Sequence, residues 1–218
     1  MSHPVRHRVK RLIDLVLAGA LLVFLAPLIA LIAVAVKLES RGPVFYRCER
    51  VGRRGAPLWM LKFRKMHDGA SGSALTVADD ERFTRVGRGL ARLKLDELPQ
   101  LWHVLRGEMS IVGPRPEDKK FVRVLGDDFE MILMARPGII GLSQLAFAEE
   151  SQILDTGDPI EHYVARILPQ KARLDTLYVT EHSLLLDLRI LLWSVVAVVL
   201  RRDVAVDRST LRMSLRRR

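Results

Sequence analysis

Residues 95–117, LDELPQLWHVLRGEMSIVGPRPE, set two adjacent carboxylates, Asp96 and Glu97, ahead of an arginine held between two prolines, Pro114-Arg115-Pro116. A lone acid at a helix N-terminus is most often a cap. Two adjacent acids at the positive end of a helix offer more: one can hold a divalent cation while the other attacks or accepts charge, and free backbone N–H groups face a phosphate. Arg115 supplies the complementary charge. Pro116 pushes it towards extended geometry, Pro114 has its own φ fixed, and Gly113 permits close approach. A guanidinium offered from so stiff a backbone suits a bidentate grip on phosphate oxygens, although G-P-R-P in isolation is equally a turn carrying a solvated arginine.

The elements around these groups must place them. Leu98, Leu101, Trp102 and Leu105 recur at helical spacing, and Pro99 fits only the first turn, so Asp96 and Glu97 are expected at the start of an amphipathic helix. His103 within it reads as a packed or rim histidine. Upstream, GPVFYRCERVGRRGAPLWMLKFRKM reads as two short strands around Gly52-Arg53-Arg54-Gly55. In the second strand Trp59, Leu61 and Phe63 alternate with Met60, Lys62 and Arg64, which puts Lys62 and Arg64 on one face, either solvated or turned to an anion. Residues 68–80 form a small polar loop, and 160–179 look helical. The stretch 184–200 is interrupted by Asp187 and Arg189; the remainder, Ile190 to Leu200, is too short to cross a bilayer and reads as a buried or interfacial helix. The fold class expected is mixed α/β, mainly helical, with a short β-hairpin and interfacial amphipathic helices.

Charge and hydropathy narrow the function. The chain of 218 residues carries a formal charge of +10. Residues 1–54 hold ten Lys/Arg against Asp14, Glu39 and Glu49, and residues 201–218 hold seven Arg against Asp203 and Asp207, leaving 55–200 slightly acidic. A basic excess confined to the ends argues against a nucleic-acid binder and suits anionic lipid headgroups. Leu15 to Val36 carries no charge, which marks a membrane segment. It lacks a small-residue cleavage site, so it is not read as a removed targeting peptide. Pro27 interrupts it, and basic residues flank both sides: Arg6, Arg8, Lys10 and Arg11 before, Lys37, Arg41 and Arg47 after. A kinked span satisfies the length; a re-entrant helix bent at Pro27 satisfies both basic flanks, because Lys/Arg mark the cytoplasmic side. The expected organisation is a basic N-terminus and re-entrant helix over 1–40, a cytosolic catalytic domain at the membrane surface over 41–200, and an Arg-rich tail over 201–218. The lone Cys48 cannot form an internal disulfide, and no closely spaced Cys/His set suggests zinc. Walker, zinc-protease and dinucleotide-binding motifs are absent.

Taken in order, KRLIDLVL…APL, RGPVFYRCERVG, LKFRKM, DDERFTRVGR, LDELPQLWHVLRGEMSIVGPRPE, RPGIIGLSQL and LDTLYV…SLLLDLRIL resemble the bacterial sugar transferases, the monotopic phosphoglycosyl transferases, from about Lys10 to Leu192. The resemblance implies an enzyme of the inner-membrane cytoplasmic face that moves a sugar-1-phosphate from a nucleotide diphosphate sugar, usually a UDP-sugar, onto a polyprenyl phosphate. Nucleoside monophosphate is released, in a first membrane step of glycoconjugate or exopolysaccharide synthesis. It implies Mg²⁺ as cofactor, Asp96 as nucleophile passing through an aspartyl-phosphosugar, Glu97 as the metal-linked partner, and Lys62, Arg64, Arg88, Arg115 and Arg136 as substrate-binding residues. It also implies the re-entrant helix bent at a proline.

The chain departs from the family pattern at several positions. Ala91, beside Arg92, stands where an arginine is usual; Cys48 replaces Gln, His103 Asn, Glu108 Asp, and Ile140 Thr; and AFAEESQILDTG lacks the NGR continuation, so neither the sugar nor the pathway follows from the sequence. Nor does the oligomeric state. A membrane-bound hydrolase of nucleotide sugars, with water as acceptor, and a catalytically silent scaffold for polysaccharide assembly are the alternatives.

Overall fold

The computed structural model describes residues 3–72, 75–76, 80–148, 158–200, 202–207 and 210–215. The apolar run and its basic flanks form one helix, α1 (His3–Glu39), and the helix continues through Pro27. One stripe of α1 is docked: Asp14, Ala18, Ile32 and Val36 are buried and Leu22, Leu28, Ile29 and Ala33 pack beside them. The opposite face leaves Leu12, Val16, Val23, Phe24, Leu31, Val34 and Leu38 exposed. Both ends of the helix are fastened to the rest of the molecule. Near the first, Arg11 donates to the carbonyls of Val104 (2.7 Å) and Leu105 (3.2 Å), and Asp14 accepts from the Ser110 hydroxyl (2.7 Å) and the Ile111 amide (3.2 Å). At the last, Glu39 accepts from the Val86 amide at 3.0 Å.

The expected hairpin is present: β1 (Phe45–Val51) pairs antiparallel with β2 (Pro57–Phe63), from Phe45 opposite Phe63 to Val51 opposite Pro57. The turn places Arg54 and Gly55 at positive φ. Leu58, Met60 and Cys48 are buried while Trp59 is exposed, so the face carrying Lys62 turns inward rather than to solvent. Phe63, of opposite parity, is buried too, against α1 and α2 (Arg85–Arg92). Thr84 caps α2, accepting from the Gly87 amide, and a Cβ at Gly87 would lie 1.9 Å from the Lys65 carbonyl oxygen, which fixes α2 against the end of β2.

After α2 the chain turns through a 3₁₀ segment (Leu95–Gln100) into α3 (Leu101–Arg106), closed by Gly107 at φ 84°. The expected amphipathic face is corrected at Trp102, which is exposed, while His103 is packed and buried. Nε2 of His103 accepts from the Leu61 amide (3.1 Å) and Nδ1 lies 2.6 Å from Glu108, so this packed histidine ties α3 to β2.

Next come β3 (Ser110–Val112), α4 (Lys119–Leu125), α5 (Glu130–Leu133), β4 (Gly138–Ile140), which pairs parallel with β3, and α6 (Leu142–Ala146). The helix expected over 160–179 consists of α7 (Pro159–His162), a π-helical turn (Tyr163–Ile167) and α8 (Leu168–Thr180). Pro169, which lacks an amide hydrogen, explains the wider turn before it.

The stretch 184–200 forms α9 (Leu184–Val199), with Leu186, Asp187 and Ile190 buried and Leu185, Leu188, Leu192, Val195 and Val199 exposed along one stripe. The tail, expected to be only Arg-rich, also forms a hairpin of β5 (Val204–Val206) and β6 (Met213–Leu215), with Val204 buried. Its Arg201, Arg208 and Arg216 to Arg218 lie outside the described residues, as do parts of the 68–80 loop and most of AFAEESQILDTG.

Candidate functional site

Asp96 and Glu97 are both buried, at 2% and 9% exposure, in the 3₁₀ turn that precedes α3 rather than in the helix itself. Pro99 has no amide hydrogen to bond back to Leu95, and Lys94, at φ 56°, reverses the chain into the turn. The pair therefore sits on a bend held between α2 and α3.

Four cations from three segments converge on it. Lys62, from the inward face of β2, places Nζ 2.7 Å from Glu97 Oε1; Arg115 Nη2 is 3.4 Å from the same oxygen; and Lys65 Nζ is 3.8 Å from Asp96 Oδ2. The positive charge of Lys94 acts on both acids from the rim. Burial pushes the Glu97 carboxyl up, but Lys62, Arg115 and Lys94 more than offset it and hold the group well below the usual carboxylate range. Partial burial lowers Lys65 against the pull of Asp96. Asp96 makes that one ion pair and no hydrogen bond among the described residues. A buried carboxylate so weakly engaged is unusual for a structural group.

Of the residues singled out from sequence, the structure brings Asp96, Glu97, Lys62 and Arg115 together. Arg64 is not brought to the pair: it is buried, and its guanidinium donates to the carbonyls of Val36, Ser40 and Arg41 at the end of α1. Arg88 is exposed on α2. Arg136 donates through Nε to the Gly107 carbonyl (3.1 Å), at the end of α3 where Arg11 also lies. Sequence reasoning missed Lys65 and Lys94. Each stands directly beside a residue already singled out or its turn, but alternation assigns Lys65 to the wrong face of a strand that has ended by then.

Arg115 stands on a heavily anchored backbone. Gly113 donates to the Ile140 carbonyl (2.9 Å), Gly138 donates to Pro114 (2.8 Å), and Val51 donates to Glu117 (2.9 Å). A Cβ on Gly138 would lie 2.2 Å from the Gly113 nitrogen, so only glycine allows the two strands this approach. The Glu117 carboxylate accepts from the Tyr163 hydroxyl (2.9 Å) and pairs with Lys171 (3.2 Å), all three buried. Burial pushes Glu117 up, yet Lys171 and Arg115 hold it low; Asp175, also buried, is pushed up to about 7 by burial, although the Ser143 hydroxyl, Lys171 and the Arg115 amide favour its charged form.

Among the described residues no three His, Cys, Asp or Glu side chains gather to hold a metal. Two adjacent carboxylates nevertheless fit a hard divalent cation such as Mg²⁺, which typically takes one or two protein carboxylates and completes its shell with water and substrate phosphates. What the cluster can do is bind a polyanion at its cations and present to it a carboxylate poorly engaged among the described residues.

The chain matches the family model for bacterial sugar transferases over residues 5–201. It is 46% identical over 143 residues to the UDP-glucose:undecaprenyl-phosphate glucose-1-phosphate transferase of Caulobacter vibrioides, covering 62% of this chain and 53% of that protein. It is 36% identical over 197 residues to the protein of the same name in Escherichia coli, covering 88% of this chain and 40% of that protein. It is 34% identical over 210 residues to the exopolysaccharide production protein ExoY of Sinorhizobium fredii, covering 88% of this chain and 86% of that protein. The chain thus spans about half or less of the first two relatives and most of the third.

Proposed function

Because the chain belongs to the bacterial sugar transferase family, we propose that it transfers a sugar-1-phosphate from a nucleotide diphosphate sugar, most simply a UDP-sugar, to a polyprenyl phosphate in the membrane. The observation that carries this reading is the buried Asp96, with one ion pair at 3.8 Å and no side-chain hydrogen bond among the described residues, beside Lys62, Lys65, Lys94 and Arg115. Asp96 attacks the sugar-bearing phosphorus, the bond from that phosphorus to the nucleoside monophosphate oxygen breaks, and an aspartyl-phosphosugar forms. An oxygen of the lipid phosphate then attacks the same phosphorus and releases Asp96. Lys62 keeps Glu97 ionised and oriented, and Arg115 spreads the charge that develops on the phosphoryl oxygens. Glu97, with Asp96 adjacent, would hold Mg²⁺, which supplies Lewis-acid stabilisation of that charge.

The acceptor reaches the site from the bilayer. The helix α1 is long and apolar enough to cross a membrane, yet Arg11 and Asp14 near one end and Glu39 at the other contact one and the same domain. A straight crossing of a hydrocarbon core about 30 Å thick would carry those ends to opposite sides, so the reading they support is a re-entrant helix. Its basic flanks support a catalytic domain on the cytoplasmic face. The exposed apolar stripe of α9 suits a helix lying in the same interface.

The test is the half-reaction. Enzyme mixed with its nucleotide sugar and no lipid should release up to one equivalent of nucleoside monophosphate and add one sugar-phosphate mass to the peptide carrying Asp96. Turnover on adding polyprenyl phosphate, with neither burst nor adduct before it, would replace this route by direct transfer in a ternary complex. Monophosphate release that continues without lipid would indicate a hydrolase.

A further inference from the structure

Arg64 stands between the two lysines that touch the carboxylate pair and faces the other way. Its Nη2 donates to the carbonyls of Ser40 (2.9 Å) and Val36 (3.3 Å), and Nη1 donates to Arg41. The last carbonyls of a helix have no intrahelical partner, and a buried guanidinium that satisfies several of them fixes the helix end as a lysine ammonium cannot. Glu39 closes the same junction from the helix side. Its two carboxylate oxygens accept the Val86 amide at 3.0 and 3.1 Å, at the start of α2, and the Thr84 amide before it donates to the Lys65 carbonyl (3.1 Å). From α2 the chain passes directly through Lys94 to Asp96.

We infer that Arg64, with Glu39, is a positioning residue that sets the carboxylate pair against the end of the membrane helix, so that the pair meets an acceptor phosphate presented from the bilayer. The inference rests on the proposed lipid acceptor. Neither side chain touches the pair. Arg64 acts through Lys62 and Lys65, its near neighbours on the same segment, and Glu39 acts through α2. A soluble nucleotide sugar diffuses to the site from any direction, whereas the lipid phosphate arrives at a fixed depth. Loosening this junction therefore penalises the acceptor selectively.

The experiment measures KM for both substrates in liposomes or nanodiscs of fixed composition, for the full chain and for Arg64→Lys and Glu39→Gln. Arg64→Lys should raise KM for polyprenyl phosphate by about tenfold or more while KM for the nucleotide sugar stays within about twofold; Glu39→Gln should shift the same ratio by a smaller factor. Equal changes in both KM values, or no change in the lipid KM of either variant, would overturn the inference and leave the junction with a purely structural role. Should Arg64→Lys not fold, the ratio for Glu39→Gln decides alone. A wild-type chain that forms no lipid-linked sugar with any nucleotide sugar would instead overturn the proposed function, which separates the two failures.

Discussion

Glu97 and Glu117 both feel Arg115, both are buried, and both are held below the usual carboxylate range, yet the clusters they belong to differ in charge balance. Around Glu97, two carboxylates face Lys62, Lys65, Lys94 and Arg115, and the cations come from segments that leave Arg115 partly open. Around Glu117, the buried Lys171 answers both Glu117 and Asp175, and the Tyr163 hydroxyl donates to the same Glu117 oxygen that Lys171 pairs with. Among the described residues the first cluster sets four cations against two carboxylates, an excess that the diphosphate of the proposed substrate would match. The second closes on itself and holds the turn that carries Arg115. Charge balance among the described residues thus distinguishes the groups proposed to meet substrate from those that support them.

The largest effect that could break this distinction is on turnover. Asp96→Asn removes the proposed nucleophile and its ion pair to Lys65, but no side-chain hydrogen bond among the described residues; turnover should fall by at least about 10³-fold, roughly 4 kcal/mol, with little change in melting temperature. Formation of the lipid-linked sugar measures it, and a near-wild-type rate would return the pair to a capping role. On the other side, Lys171→Met leaves Glu117 buried without its counter-charge and should cost about 3–5 kcal/mol of stability. Lys62→Met should cost clearly less stability and more activity, because Glu97 keeps Arg115 and Lys94. Equal destabilisation by the two changes in a thermal melt would erase the contrast.

Local sequence revealed some of this arrangement. Asp96, Glu97 and Arg115 stood out through their own neighbours, prolines and a glycine among them, and the β1–β2 hairpin through its alternation and turn. The inward face of β2 did not, because both faces are apolar: Leu58 and Met60 point to one core cluster and Phe63 to another. Trp102 and His103 exchanged the places that hydrophobicity suggests, since the histidine meets a backbone amide and Glu108 on its two nitrogens. Arg64 looked like a substrate ligand because the carbonyls it satisfies lie more than twenty residues upstream, beyond any local pattern. The partners of Glu117 are farther away still, and the strands of the C-terminal hairpin are too short for alternation to show.

Arg115→Lys sharpens the assignment of Arg115 itself. Lysine keeps the charge but loses the planar fork, and the anchored backbone from Gly113 to Glu117 cannot shift to compensate. The expected loss in kcat/KM is about tenfold, or roughly 1.4 kcal/mol, mostly in kcat if the contact strengthens in the transition state. An unchanged rate would place Arg115 with the solvated turn arginines.

The last effect leaves turnover aside and tests the closed cluster through pH. Burial raises Asp175 to about 7 in the folded chain, against an ordinary value of 3.8, so the folded state binds this proton more tightly than the unfolded state. Its contribution to stability is therefore complete below about pH 4, declines as pH rises towards 7, and is constant above that. Glu97 and Glu117 shift the other way; their contributions are lost only as pH falls through their depressed values, so they add no slope between pH 5 and 8. Asp175→Asn keeps an acceptor for the Arg115 amide and removes the titration. Its stability relative to wild type should rise between pH 5 and pH 8 by about 2–3 kcal/mol, or roughly 5–10 °C in melting temperature for a chain of this size. A difference that stays constant across that range would mean that Asp175 does not change its charge there. Lys171 would then balance both carboxylates at once, and the cluster behind Arg115 would differ from the one around Glu97 in accessibility, not in charge.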